Sequence, residues 1–157
     1  MAKEIERKFL VTGNFYEYAD DKVYISQGYF PTDDSFAFRV RIANKKAWLT
    51  LKGKTQGYTR LEYEYEIPLS DASEMIENLV MKPVIEKYRY IIRVDGIIWE
   101  VDEFLGENQG LILAEIELEN PNQEFRLPKW IGQEVSEDYR YYNAYLSKHP
   151  YKTWRNT

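Results

Sequence analysis

Arg60-Leu61-Glu62-Tyr63-Glu64-Tyr65-Glu66-Ile67 alternates charged and apolar residues without a break. That is the two-residue period of a β-strand whose two faces meet different surroundings. The pattern continues on either side, in Phe38-Arg39-Val40-Arg41-Ile42 and Leu49-Thr50-Leu51-Lys52 before it and in Lys87-Tyr88-Arg89-Tyr90 after it. Extended over the chain, it predicts strands at 3–11, 23–30, 35–43, 46–53, 58–68, 83–94, 97–105 and 111–119. Asp95-Gly96 is a two-residue hairpin signal. Asn44-Lys45-Lys46 and the stretch 53–57 read as further hairpin turns, with longer loops at Pro31-Thr32-Asp33-Asp34 and 106–110. Neighbouring strands are therefore expected to be antiparallel. Helix is scarce. Ala72, Met75, Ile76, Leu79 and Val80 make one apolar stripe over 71–80, with Asp71 and Glu74 spaced as a capping box. A second helix is expected at 139–148 and a short one at 15–20.

The 157 residues fit one domain, 44% hydrophobic and 30% charged, and the aromatic share of 16%, with 14 Tyr, suits strands. The chain has no cysteine, which excludes disulfides, thiolate zinc sites and a cysteine nucleophile. A net charge of −5 argues against a nucleic-acid polymer as partner. No apolar run is long enough to span a bilayer, and the first eight residues carry no apolar signal region. The expected setting is the cytoplasm, with no membrane partner.

Residues two apart on a strand share a face, and here they sort by sign. Glu4 and Glu6 precede Lys8. Arg39 stands with Arg41, Lys52 with Thr50, Glu62 with Glu64, Lys87 with Arg89, Glu100 with Asp102, and Glu115 with Glu117. A solvated sheet face also carries charge, but it mixes signs. Like charges two apart repel, so a sheet gains from them only when something opposite binds between them. A divalent metal would serve the carboxylates and a phosphate the cations. Eight antiparallel strands can close into a barrel, which removes the edges. With the charged faces turned inward, the lumen is a wet polar tunnel. The apolar faces then point outward and need a cover from the 71–80 helix, the tail or a second subunit. Carboxylates without His or Cys partners suit Mg²⁺ or Mn²⁺ rather than zinc.

Glu4-Ile5-Glu6-Arg7-Lys8 resembles the ExExK signature of the CYTH superfamily, the triphosphate tunnel metalloenzymes. Arg39-Val40-Arg41, Leu51-Lys52-Gly53, Glu62-Tyr63-Glu64, Lys87-Tyr88-Arg89, Glu100-Val101-Asp102 and Glu115-Ile116-Glu117 follow in the family's order, and Arg140-Tyr141-Tyr142-Asn143 is family-like. The chain looks most like the short bacterial inorganic triphosphatases. The resemblance implies a mainly β fold, a closed eight-stranded antiparallel barrel with a few flanking helices. It implies metal-dependent cleavage of inorganic triphosphate to pyrophosphate and phosphate, with two ions during turnover. Positions matching Glu4, Glu6, Asp102, Glu115 and Glu117 hold metal in the family. Positions matching Lys8, Arg39, Arg41, Lys52, Lys87 and Arg89 hold phosphates, joined in the short members by a tyrosine matching Tyr29. Glu62, Glu64 and Glu100 are supporting acids. The catalytic set on this reading is Glu4, Glu6, Lys8, Arg41, Lys52 and Glu117. Some members place a C-terminal lysine over the tunnel; Lys148 and Lys152 do not align with it.

Adenylate cyclase and nucleoside or thiamine triphosphatase chemistries run in the same fold, and a binding module could hold polyphosphate without cleaving it. The paired carboxylates argue against the last, and the charge sorting argues against a lipocalin-like carrier. Gly53-Lys54-Thr55 is no phosphate loop, since Trp48 stands at the first glycine position. His149, the single histidine, is read as solvated or packing. Tyr63/Tyr65 and Tyr88/Tyr90 form an outward stripe, which offers a homodimer face.

Overall fold

The computed structural model describes residues 3–154. Nine strands run in chain order: β1 (Lys3–Val11), β2 (Asp21–Tyr29), β3 (Phe36–Ala43), β4 (Lys46–Gly53), β5 (Thr59–Ile67), β6 (Ile85–Val94), β7 (Ile97–Phe104), β8 (Ile112–Glu117) and β9 (Ile131–Glu134). They form one antiparallel sheet in the order β5-β4-β3-β2-β6-β7-β8-β1-β9. Because β5 also pairs with β1, the first eight close into a barrel. The eight strands expected from the sequence are all present, with boundaries moved by two residues at most. The turns follow the expected chemistry: Asn44 and Lys45 have φ of 51° and 64°, Asp95 and Gly96 of 54° and 78°, the positive values a tight hairpin needs.

β9 has no counterpart in the sequence reading. Pro121 and Pro128 mark its surroundings as loop, and Gly132 interrupts a four-residue strand. The structure gives the glycine a reason. A Cβ there would sit 2.5 Å from Thr12 Cγ2 and 3.3 Å from Leu10 O, so β9 comes this close to β1 only with no side chain at 132. Arg7 then fastens the pair, its Nη2 2.6 Å and its Nε 2.9 Å from the two carboxylate oxygens of Glu134.

α1 spans Leu69–Asn78 and starts two residues before the expected 71–80. Pro68, fixed near φ −58°, occupies the N-cap. Asp71 therefore lies in the first turn and makes no capping bond; it still complements the helix dipole there. The expected tail helix divides into a 3-10 turn at Tyr139–Tyr141 and α2 (Asn143–Lys148), and 15–20 reduces to a 3-10 turn at Tyr16–Tyr18. Among the described residues no helix is long and apolar enough to cross a membrane.

The hydrophobic packing lies outside the barrel. Phe9, Trp99, Val101 and Ile116 point outward under a cover that includes Phe15, Phe125 and Trp130. Val40, Ala47 and Leu49 are covered by Ala72, Met75 and Ile76 of α1. A third cluster is different in kind. Ile85, Phe104 and Leu113 continue the inward faces of Lys87, Asp102 and Glu115, and they pack with Tyr29, Val135 and Leu146. The lumen is thus polar over most of its length and ends in an apolar plug at the tail.

Candidate active site

Strand register fixes which side chains meet in the lumen. β1 against β8 sets Glu6 opposite Glu117 and Lys8 opposite Glu115. β3 sets Arg41 opposite Gln27 and Arg39 opposite Tyr29 on β2. β4 against β5 pairs Lys52 with Glu62 and Thr50 with Glu64, and β6 against β7 pairs Arg89 with Asp102. The result is a cavity of about 270 Å³ whose lining includes Glu4, Glu6, Lys8, Tyr29, Arg39, Arg41, Lys52, Glu62, Glu64, Lys87, Arg89, Glu100, Glu115 and Glu117. Fourteen of the fifteen residues singled out in the sequence therefore face one space.

Asp102 is the exception. It is fully buried and does not line the cavity. Arg89 Nε and Nη2 lie 2.8 and 2.9 Å from its two oxygens, and Lys87 Nζ lies 2.8 Å from Oδ2. Burial alone would raise this carboxyl, but Arg89 and Lys87 hold it down to about 2. Where the sequence reading expects a metal ligand, the structure shows the oxygens of Asp102 taken by two cations. The physical reason is its place on the strand. Phe104, two residues on, belongs to the apolar plug, whereas Glu100, two residues back, is 37% exposed towards the mouth.

The remaining charges are graded by depth. Glu117 is exposed, and Glu64 keeps 44% of its side-chain area. Lys87 keeps 1% and Arg39 8%. Lys52 bridges Glu4 at 3.0 Å and Glu62 at 3.4 Å. Arg89 also approaches Glu100 at 3.4 Å and Glu115 at 3.6 Å. Lys8 donates to Tyr141 O at 3.0 Å and lies over the Tyr142 ring. Thr50 donates to Glu64, which stands 4.0 Å from Arg39.

Deep in the lumen the cations crowd one another. Burial, with Arg39 and Arg89 nearby, lowers Arg41 to about 9. Burial lowers Lys87 to about 7, Asp102 opposing and Arg89 and Arg41 adding to the fall. Arg39 Nε is buried with no hydrogen-bond partner among the described residues. A guanidinium N–H without an acceptor is costly in a protein interior, and an anionic ligand would remove that cost.

The acids show the complementary strain. Glu6 is raised well above the usual carboxylate range by burial and by Glu115, with which it shares a hydrogen bond. Glu115 is held well below that range, because Lys8, the bond from Glu6 and Arg89 outweigh its burial. Two buried carboxylates are thus set against each other, the place a cation can take. Among the described residues no three acidic or histidine side chains gather tightly enough to hold an ion alone. That donor set still fits magnesium, which is commonly held by one or two carboxylates together with the oxygens of a bound phosphate.

A match to the CYTH domain covers residues 2–149. The chain belongs to the CYTH family. It is 52% identical over 155 residues to an inorganic triphosphatase of Acetivibrio thermocellus, covering 99% of both chains. It is 38% identical over 148 residues to an inorganic triphosphatase of Nitrosomonas europaea, covering 92% of this chain and 96% of the other. A crystal structure of an inorganic triphosphatase superposes with a TM-score of 0.67 at 36% identity, covering 94% and 95% of the two chains. Metal dependence is a general feature of CYTH triphosphatases, in keeping with the carboxylate wall.

The CYTH lumen also holds residues the charge sorting missed. Tyr58, Ser136, Tyr142 and Asn143 line it, and Gln27 lies fully buried in its wall. Arg60 and Thr50 were placed on inward faces but given no role. Gln27 had a signal, since from Val23 to Tyr29 the inward face of β2 carries no charge yet lies between two strands that do. Ser136, Tyr142 and Asn143 come from irregular chain after β9, where no periodicity marks a face. Lys148 lies away from the lumen, on a second cavity of about 680 Å³ that shares Tyr29, Ala37, Arg60 and Tyr142 with the first.

Proposed function

We propose that the protein is a divalent-metal-dependent inorganic triphosphatase, releasing phosphate from linear triphosphate and leaving pyrophosphate. The observation that carries this reading is the crowd of buried cations facing a wall of carboxylates, with Arg39 Nε lacking an acceptor among the described residues. A compact polyanion satisfies both the crowding and the orphaned donor. Lys8, Tyr29, Arg39, Arg41, Lys52, Lys87 and Arg89 would bind the phosphate oxygens. Glu4, Glu6, Glu115 and Glu117 would hold Mg²⁺ or Mn²⁺, two ions during turnover. Such ions polarise phosphoryl oxygens and acidify an attacking water. The guanidinium and ammonium groups stabilise charge as it moves onto the leaving pyrophosphate. Glu62 and Glu64 orient Lys52 and Arg39, and Asp102 is the fixed anion that keeps Lys87 and Arg89 in place. The short, enclosed lumen also suits a linear substrate held in line, with a cytoplasmic supply of triphosphate.

A second reading has one observation in its favour. The adjoining cavity is walled by Phe30, Phe36, Phe38, Tyr139, Tyr145 and His149, a surface on which the organic part of a nucleoside or thiamine triphosphate would stack. The test is phosphate release from tripolyphosphate, ATP and thiamine triphosphate, each with Mg²⁺, with Mn²⁺ and with chelator. Tripolyphosphate with added metal is expected to give the highest kcat/KM. Undiminished turnover in chelator overturns the metal requirement, and a preference for either organic substrate overturns the choice of inorganic triphosphate.

A further inference from the structure

From Val23 to Tyr29 the inward face of β2 carries no charge, and the reason lies in what its side chains bond. Gln27 is fully buried. Its Oε1 accepts from Arg41 Nε at 2.8 Å, and its Nε2 donates to Asn143 Oδ1 at 3.0 Å and to Tyr29 Oη at 3.3 Å. Asn143 Oδ1 also accepts from Lys87 Nζ at 2.8 Å. Lysine and arginine are donors only, so they fix the sense of the whole chain. Lys87 requires the oxygen of Asn143, that oxygen requires the nitrogen of Gln27, and the oxygen of Gln27 is left for Arg41. Two cations are thereby joined through two neutral amides.

The neutrality is the informative part. Arg39, Lys52, Lys87 and Arg89 each have a carboxylate within 4.0 Å, whereas Arg41 has none among the described residues. A glutamate at 27 would match the amide in size and meet Arg41 with a charge-assisted bond. It would also cancel the charge that a phosphate has to find. Asn143 adds a neutral contact to Lys87, which already answers to Asp102.

We infer that Gln27 is a positioning residue that aims Arg41 into the lumen while leaving its charge available to the substrate, so that the amide sets triphosphate affinity. The inference rests on the reading of the lumen as a triphosphate site. It separates stability from function, because the better partner for Arg41 in the empty protein is the worse one for the working enzyme.

The test compares the wild type with Gln27→Glu and Gln27→Met. It reads the thermal midpoint without ligand, kcat and KM for tripolyphosphate with Mg²⁺, and calorimetric binding of tripolyphosphate without metal. Gln27→Glu gains a charge-assisted bond to Arg41 but loses the donation to Asn143 Oδ1, so its midpoint is expected to change little while KM and the dissociation constant rise by about ten-fold or more, the scale of a lost charge-assisted contact. Gln27→Met keeps the charge of Arg41 but frees its Nε, so the midpoint falls and kcat/KM falls with it. If Gln27→Glu does not fold, Gln27→Met decides: a kcat/KM within about two-fold of the wild type overturns the inference. A Gln27→Glu protein that folds with KM within about two-fold of the wild type overturns it too, and so does one that loses midpoint and affinity together, as a merely structural amide would. A wild type that neither binds nor cleaves tripolyphosphate overturns the triphosphate reading, and the inference with it.

Discussion

Replacing Asp102 by Asn tests whether a buried acid, rather than the substrate, keeps the deepest cations in place. The side chain would keep its size and lose its charge. In the wild type it meets Lys87 at 2.8 Å and Arg89 with two further bonds of 2.8 and 2.9 Å, all within a wall where Lys87 and Asp102 each keep 1% of their side-chain area. Removing one member of a buried ion pair costs about 3–5 kcal/mol, because the partner charge is left uncompensated. For a chain of this length each kcal/mol lowers the thermal midpoint by about 2–4 °C, so the expected fall is roughly 6–20 °C. Arg89 retains Glu100 and Glu115 at 3.4 and 3.6 Å, so Lys87 bears most of the loss. It has a route to relief, since its pKa is already lowered to about 7 and without Asp102 falls further. Above that value Lys87 is neutral in both proteins. Below it the wild type gains a proton in the folded state that the variant does not, while both unfolded chains are protonated, so the deficit widens as pH falls below 7. Calorimetry of the two proteins from pH 6 to pH 8, with Glu100→Gln as the partly exposed control, reads the difference. A variant no less stable than that control, or a deficit that does not change with pH, refutes the reasoning.

Arg39→Ala removes a guanidinium whose Nε has no partner among the described residues and whose carboxylate neighbour Glu64 is 4.0 Å away. KM for tripolyphosphate should rise about ten- to a hundred-fold, the scale of hydrogen bonds to charged groups, with little change in the midpoint of the ligand-free protein; equal losses in both would mark a structural ion pair. The lowered pKa of Lys87 also gives the wild type a pH dependence. The unfolded chain binds more protons than the folded one from about pH 7 up to the ordinary lysine value, so the ligand-free midpoint should rise across that window. Lys87→Met should flatten that rise, and an unchanged slope would show that Lys87 does not cause it. Tripolyphosphate should raise the pKa of Lys87 and take up a proton near neutral pH, read as binding heats that vary with the ionisation enthalpy of the buffer; heats independent of buffer would refute it.

The parts of the fold legible in the sequence are those governed by the two-residue period. The inward faces of β3, β4 and β5 follow from it directly, and so does the opposition of their charges once hairpin turns such as Asn44-Lys45 fix the register. Depth within the barrel is another matter. Glu100 and Asp102 are equivalent by period, yet one faces the mouth and the other is sealed beside the plug, because tail residues such as Leu146 close that end. The helix boundary shifted because Pro68 sets φ by ring closure while Asp71 merely offers a cap. Gln27 escaped a search for charge because its value to the site lies in having none.

An inverted barrel puts the charged side chains where a core would be, so closure depends on the groups that bind. The β1–β5 seam has three residue pairs, whereas β3–β4 and β6–β7 have eight each. Across this narrow join Lys52 of β4 reaches Glu4 of β1 and Glu62 of β5, and Arg60 of β5 donates back to Gly53 O of β4. The outer edge of β1 beyond the seam is taken up by β9, held through Arg7 and Glu134. The apolar clusters outside hold the sheet's curvature, while at the seam the short ladder and the Glu6 N–H donated to Tyr58 O are reinforced by the Lys52–Glu4 ion pair between lumen residues. On the proposed reading, a phosphate drawn to Lys52 would compete with Glu4 and Glu62 for the same ammonium, and a metal drawn to Glu4 would compete from the other side. Binding anion and metal together leaves each charge with a new partner, whereas binding either alone strands one. On that reading the fold would favour taking up triphosphate and its ions as a unit, for the same electrostatic reason that lets a barrel full of charge stay closed when empty.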